Sequence, residues 1–165
     1  MTRIAFATLL MTLAACATAP VGPDVTNWSA AATAQPGFTG AGANASAVTG
    51  AGGTNVAMAF REAAGMSGTT RPWHVHYGRC GNDQGIVGDA SLYTPLRPGS
   101  DGTATTKATI PVRLTGDRTY FINIHKSPSE LSTIVACGNL SSPGMSMTSS
   151  SETTETGTTS HSSHH

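Results

Sequence analysis

Charged residues are scarce in this chain, and their signs cancel. Lys and Arg contribute nine residues and Asp and Glu another nine, which together make up 11% of the 165 residues. No stretch of the sequence gathers basic side chains into a patch. Nucleic acid is therefore excluded as a partner, and whatever the protein binds is not recognised through bulk charge.

Long apolar runs are equally scarce. The clearest one, residues 4–15, follows the basic Arg3 and is too short to span a bilayer, for which about 20 apolar residues are needed. It ends in Leu13-Ala14-Ala15-Cys16, which resembles a bacterial lipobox. We therefore predict a signal peptide over residues 1–15 and a lipid on Cys16 that anchors the protein in the bacterial cell envelope, facing the periplasm or the exterior. An ordinary secretory signal with a chance cysteine is the alternative, and it also exports the chain.

Composition divides the rest of the chain into three parts. Residues 16–27 contain Pro20, Gly22 and Pro23 and are predicted to form a tether. Residues 141–165 consist almost entirely of Ser, Thr, Gly, Glu, Met and His, so they cannot bury enough apolar surface to offset the entropy of ordering, and we predict disorder. Residues 28–140 then form one domain with a single modest core.

Within this domain no segment has the apolar period and length of a stable helix. Alternating apolar residues predict strands at 56–64, 73–77, 108–114, 120–125 and 133–137, with one or two more before Val56. Pro111 favours an edge position or a bulge in its strand. Turn-forming residues lie between the strands at 81–83, 98–102 and 115–117. With 19 glycines, this pattern predicts an all-β fold, an antiparallel β-sandwich or barrel.

Only three cysteines are present, and Cys16 is assigned to the lipid. Cys80 and Cys137 are an even pair in an oxidising compartment, which favours a disulfide between them. Such a bridge would close a loop of 57 residues and stabilise the fold by about 4 kcal/mol. Two thiols that ligate a metal are the alternative.

The domain contains three histidines, His74, His76 and His125. Alternate residues of a strand face the same side, with Cα atoms about 6.6–6.8 Å apart, so His74 and His76 share a face opposite Trp73 and Val75. His125 ends another predicted strand. If the two strands are neighbours, three neutral imidazoles converge and leave a fourth position open, which suits copper or zinc. We predict copper, since imidazole supports both of its oxidation states; the alternative is a polar strand face without a metal.

These residues, taken in order, resemble the copper/zinc superoxide dismutase superfamily. The resemblance covers about residues 55–140 and depends on Trp73-His74-Val75-His76, Cys80, His125 and Ala136-Cys137-Gly138. It implies a Greek-key β-sandwich, copper at His74, His76 and His125, and a Cys80–Cys137 disulfide. The chain is also similar to chordin-type (CHRD) domains in His74-Val75-His76-Tyr77-Gly78 and Ile122-Asn123-Ile124-His125.

The sequence departs from the dismutase pattern at two places. No histidine lies between His76 and His125, where that family has the residue that bridges copper to zinc, so zinc is not expected. Ile134 stands where the family has an arginine that attracts superoxide. Both departures put dismutation in question.

Three functions therefore stay open. The first is a copper-binding envelope lipoprotein for copper handling, with the metal ion and the membrane as its partners; it is the one we expect. The C-terminal tail contains further potential metal ligands: Met145, Met147, His161, His164 and His165. We favour the alternative that this tail is a solvated low-complexity segment. The second is a copper-only superoxide dismutase that uses the same three domain histidines. The third is a structural or adhesive surface module without a metal.

Overall fold

The computed structural model describes residues 25–65 and 68–143 as an almost purely β structure. Its strands are β1 (Thr26–Ala34), β2 (Gly42–Gly50), β3 (Gly53–Arg61), β4 (Trp73–Arg79), β5 (Asn82–Ile86), β6 (Thr103–Ile110), β7 (Tyr120–Ser127) and β8 (Glu130–Leu140). A single 3₁₀ turn at Ala90–Leu92 interrupts them. The predicted all-β fold is confirmed. No helix in these two ranges is both long and apolar enough to cross a bilayer.

The eight strands form one antiparallel sheet in the order β5-β4-β7-β8-β1-β2-β3-β6. Regular pairing between β8 and β1 is limited to Thr33 with Cys137 and Ala34 with Ala136. The chain crosses between the two four-stranded halves three times, from β3 to β4, from β5 to β6 and from β6 to β7. These crossovers give the Greek-key order that the resemblance implied.

One hydrophobic core fills the curl of the sheet. Alternate residues are buried along the strands of the first half, as in Val56, Met58 and Phe60 of β3. Trp28 of β1 contacts Tyr120 of β7 edge-on, with ring centroids 5.5 Å apart, so the core joins the two halves directly. Burial of each large side chain contributes about 1.5–3 kcal/mol, and the strand alternation places those side chains on one face.

Gly138 permits the close approach of β8 to β1. A Cβ atom at this position would lie 2.7 Å from the carbonyl oxygen of Ala31 and equally close to the backbone of Ala32. Real side chains do not approach backbone atoms so closely. The glycine that follows Cys137 is therefore required by the packing of the seam between the two halves.

Several strand boundaries differ from the prediction. The strand predicted at 108–114 is β6, and it ends at Ile110 because Pro111 has no N–H for the ladder. Asn82 and Asp83, predicted as a turn, begin β5, while the turn itself lies at Cys80 and Gly81. The segment before Val56 contains two complete strands, β1 and β2, together with the start of β3.

The ends of the domain extend slightly beyond 28–140. Residues 26 and 27, predicted as tether, belong to β1, and Ser141 forms a two-way backbone pair with Ser29. The predicted signal peptide, Cys16, most of the tether and the tail from residue 144 onward lie outside the described residues.

Candidate metal centre

The sheet brings the three domain histidines together on its outward face. β4 and β7 are antiparallel neighbours in which His74 is opposite Asn123 and His76 is opposite Phe121. Trp73 and Val75 point into the core, as the alternation predicted. The imidazoles are nevertheless buried, with 7%, 4% and 5% of the surface of His74, His76 and His125 exposed.

His125 is held beside His74 by irregular pairing at the end of β7. Ile124 is opposite Ala136, but His125 is opposite Ile134, so β8 carries an extra residue at this point. The backbone N–H of His125 donates to the carbonyl of Pro72, 2.8 Å away, immediately before β4. A bulge of this kind increases the local twist and redirects a side chain.

Hydrogen bonds show which partner the nitrogens of each imidazole contact. Nδ1 of His76 lies 2.9 Å from Oδ1 of Asp83, and Nδ1 of His125 bonds to the carbonyl of Leu131. Nε2 of His125 lies 3.1 Å from Nδ1 of His74. Nε2 of His76 is buried and has no hydrogen-bond partner among the described residues. The nitrogens His74 Nδ1 and His125 Nε2 thus bond to each other, and His76 Nε2 is the one without a partner among the described residues.

These nitrogens form a set that could hold a metal ion. One potential ligand atom from each histidine lies within 4.8 Å of the others. Metal–nitrogen bonds of 2.0–2.1 Å in tetrahedral geometry place ligand nitrogens about 3.3 Å apart, and the His74–His125 pair already has this separation. A bound ion would also satisfy the orphaned Nε2 of His76, which otherwise leaves a buried polar atom unpaired.

The electrostatics keep two of the imidazoles neutral. Burial, with the neighbouring His125 and His76 in addition, lowers the pKa of His74 to about 4. Burial also lowers the pKa of His125, although the Leu131 carbonyl acts in the opposite direction. At neutral pH neither ring therefore carries a second proton that would compete with a metal ion.

Aromatic rings enclose the site. The His76 ring stacks on Phe121 with centroids 5.2 Å apart, and the His74 ring meets Tyr93 edge-on at 5.2 Å. Tyr93 is itself fixed by a hydrogen bond from its hydroxyl to the Val87 carbonyl, 2.6 Å away. These contacts restrict the two imidazoles to narrow ranges of orientation.

The disulfide between Cys80 and Cys137 is present, with Cα atoms 5.9 Å apart. It confirms the predicted pairing, and the alternative of two thiolate ligands is wrong because both sulfurs are bonded to each other. Cys137 is opposite Asn123 in the next strand, which in turn is opposite His74. The bridge therefore links the end of β4 to β8, which pairs with the strand that carries His125.

An open cleft of about 320 Å³ leads to the His125 side of the site. Asp83 is the one charged residue in its lining, which holds no Lys or Arg. Ile134, at the position where a dismutase would have its arginine, is part of this lining. The cleft is lined by Gln35, Gly81, Asp83, Phe121, Asn123, His125, Leu131, Ser132, Ile134 and Cys137.

The sequence identified the three histidines but not the groups that contact and orient their rings. Asp83 was assigned to a turn, although a carboxylate seven residues after the second histidine was a usable signal. The Leu131 carbonyl could not be recognised, since every residue carries a backbone carbonyl. Phe121 was placed on the correct face without a role.

Comparison with known proteins adds no family assignment. No protein-family model matches the chain, and searches of the curated proteins and of the solved structures likewise find no match. The dismutase and chordin-type resemblances therefore stay predictions from the sequence. What the structure establishes is a buried group of three histidines on an all-β scaffold that could hold a metal ion.

Proposed function

We propose that the protein is a lipoprotein of the bacterial envelope that holds one copper ion on His74, His76 and His125 and serves in copper handling. The observation that carries this proposal is the buried, unpartnered Nε2 of His76 beside the nitrogen pair of His74 and His125. Buried polar atoms in folded proteins almost always have a partner. A metal ion among the three histidines would be a partner for Nε2 of His76 and, at the same time, for the facing nitrogens of His74 and His125.

The donor set favours copper over zinc. All three donors are imidazole nitrogens, and divalent copper exceeds zinc in affinity for such sites. Monovalent copper also suits the site, because a single charge among neutral, buried ligands has a smaller desolvation penalty than a double charge. The nearest carboxylate, that of Asp83, is engaged by Nδ1 of His76.

One ion per chain is expected in the domain. Within residues 25–65 and 68–143 the three histidines are the one group of His, Cys, Asp or Glu side chains arranged to hold a metal. The order of motifs, the Greek-key topology and the disulfide all agree with a copper site of the dismutase type that lacks its zinc half. The proposed location of the protein in the cell envelope rests on the signal-peptide pattern that ends at Cys16.

Superoxide turnover is the second candidate, since the same three histidines would serve a redox-active copper. Storage or transfer of copper is preferred because the cleft that leads to the site is lined by a carboxylate and by no cation. Superoxide is an anion, and a negatively charged approach lowers its local concentration.

Metal titration of the purified protein tests this proposal. We expect one copper per chain, bound more tightly than zinc, in competition against a chelator. His74→Ala and His125→Ala should each abolish this binding. A control with the three tail histidines replaced by Ala should still bind one copper. Undiminished stoichiometry in the His74→Ala and His125→Ala proteins, or its loss in the tail control, would refute the site.

A further inference from the structure

Asp83 lies on the histidine face because it is opposite Gly78, which alternation places on the same face of β4 as His76, and a bulge follows it directly. His76 is opposite Ile86 and Gly78 is opposite Asp83, so two residues of β5 face one residue of β4. Gly85, inside this bulge, has a φ of +105°, which favours glycine. The bulge turns the backbone N–H of Gly85 toward the carboxylate of Asp83, to which it donates a hydrogen bond.

The contacts of Asp83 define the proton on His76. Its Oδ1 accepts a hydrogen bond from the backbone N–H of Gly85 at 2.8 Å and lies 2.9 Å from Nδ1 of His76. An ionised carboxylate only accepts hydrogen bonds, so Nδ1 must carry the proton. An imidazole with its single proton on Nδ1 has its lone pair on Nε2, which in His76 is the buried atom without a partner among the described residues.

We propose that Asp83 is the positioning residue of this centre: it fixes the His76 tautomer that presents Nε2 to the metal, and its charge favours divalent over monovalent copper. The proposal rests on the proposed copper site and adds a residue that acts through His76 without touching the ion. A carboxylate behind a ligating imidazole makes the ligand more basic and fixes its orientation. Loss of such a partner lowers metal affinity by about 10- to 100-fold.

The geometry of the cleft supports the effect of charge. Asp83 is half-exposed and is the one charged residue in the cleft lining. Its carboxylate therefore faces both His76 and the open approach to the site. A negative charge there stabilises a doubly charged ion more than a singly charged one.

The tautomer can be tested without any metal. Nitrogen-15 NMR of the imidazoles in the metal-free protein distinguishes a protonated Nδ1 from a protonated Nε2. We expect His76 to carry its proton on Nδ1 in the wild-type protein and in Asp83→Asn, whose amide oxygen still accepts a hydrogen bond. Asp83→Ala should shift His76 toward the Nε2-protonated form. A wild-type His76 protonated on Nε2, or an unchanged tautomer in Asp83→Ala, overturns the proposal.

Copper affinities separate the effect of the hydrogen bond from that of the charge. Asp83→Ala should weaken binding of both copper ions by about 10- to 100-fold. Asp83→Asn should weaken Cu²⁺ binding and leave Cu⁺ binding nearly unchanged. The matched control is Asp101→Asn, because Oδ1 of Asp101 also accepts from a backbone N–H, that of Thr103 at 3.0 Å, but Asp101 belongs to neither the histidine cluster nor the cleft lining.

The two proposals fail in different ways. Wild-type protein that binds no copper refutes the proposed function, whatever the tautomer of His76. Wild-type binding with equal affinities in all three variants refutes the role of Asp83 and leaves the three-histidine site intact. Equal losses for both ions in Asp83→Asn contradict the effect of charge.

Discussion

Nδ1 of His74 and Nε2 of His125 lie 3.1 Å apart, although 51 residues separate them in the chain. The pairing of β4 with β7 makes this approach possible, and the bond from His125 to the Pro72 carbonyl holds it. Two imidazoles at this distance cannot both be protonated without strong repulsion. The pair is therefore suited to neutral ligands that share one ion.

The stability of the metal-free protein should depend on pH through this pair. The pKa of His74 is about 4 in the folded protein against 6.5 ordinarily, so the unfolded chain takes up the proton first as the pH falls. Stability should be complete above about pH 6.5 and should decline towards pH 4, by up to about 3 kcal/mol from His74. His125, whose pKa is lowered too, adds to the decline.

Guanidinium unfolding at a series of pH values measures this dependence. His74→Gln removes the titrating group, so its unfolding free energy should vary less with pH over the same range. The carboxylates with lowered pKa act near and below pH 4 and do not interfere at higher pH. A pH dependence as steep in His74→Gln as in the wild type would contradict the assignment.

Loss of the disulfide should affect both stability and metal binding. Replacement of Cys80 and Cys137 by Ser removes a bridge across 57 residues and should lower the unfolding free energy by about 4 kcal/mol. Copper should also bind more weakly, because the segment from Cys80 to Asp83 is released from β8. Denaturation of the double variant and its chelator competition measure the two effects. A reductant should destabilise the wild type and leave the double variant unchanged; equal responses would argue against the bridge.

Gly138→Ala should destabilise the fold at the seam between β8 and β1. The added methyl group would meet the backbone of Ala31 and Ala32 at 2.7 Å, and neither strand can yield without loss of core packing. We expect a loss of about 1–3 kcal/mol in thermal unfolding. Gly50→Ala is the matched control, since nothing lies within 4 Å of a Cβ there, and should change stability by no more than about 0.5 kcal/mol. Equal losses in both variants would refute the seam argument.

A cation in the cleft should change the response of the site to anions. Ile134 is opposite His125 and lines the cleft, so Ile134→Arg places a guanidinium beside the approach to the metal. Azide binding to the copper-loaded protein, followed by its absorption band, should strengthen roughly tenfold or more, and superoxide turnover should rise with it. Ile134→Gln, a polar neutral control, should leave both nearly unchanged. Similar gains in the two variants would show that charge is not the limiting factor.

The sequence predicted the arrangement of the two histidines of β4 because strand alternation is a local property. His74 and His76, two residues apart, must share a face, and a cysteine pair in a chain predicted to be exported favours a bridge. Neither inference needed knowledge of the distant strands. The position of His125 beside these two histidines depends on which strands are neighbours. It was inferred only from the resemblance and from the small number of histidines.

The groups that orient the histidines are positioned by strand pairing, which no local sequence pattern specifies. β5 was missed because Asn82–Ile86 is polar, is largely exposed and carries no alternation. Asp83 reaches His76 through the pairing of β5 with β4, and the Leu131 carbonyl reaches His125 through the turn that joins β7 to β8. The edge position that Pro111 predicted is confirmed, because β6 is an edge strand of the sheet, although the strand ends at Ile110, just before the proline.

The central claim is that one copper ion lies among the three histidines. Diffraction from crystals of the copper-loaded protein, measured on both sides of the copper absorption edge, tests it most directly. The account predicts one anomalous peak per chain within about 2.0–2.2 Å of His74 Nδ1, His76 Nε2 and His125 Nε2. A peak elsewhere in the molecule, or three imidazoles that turn away from one another with no peak between them, would contradict it.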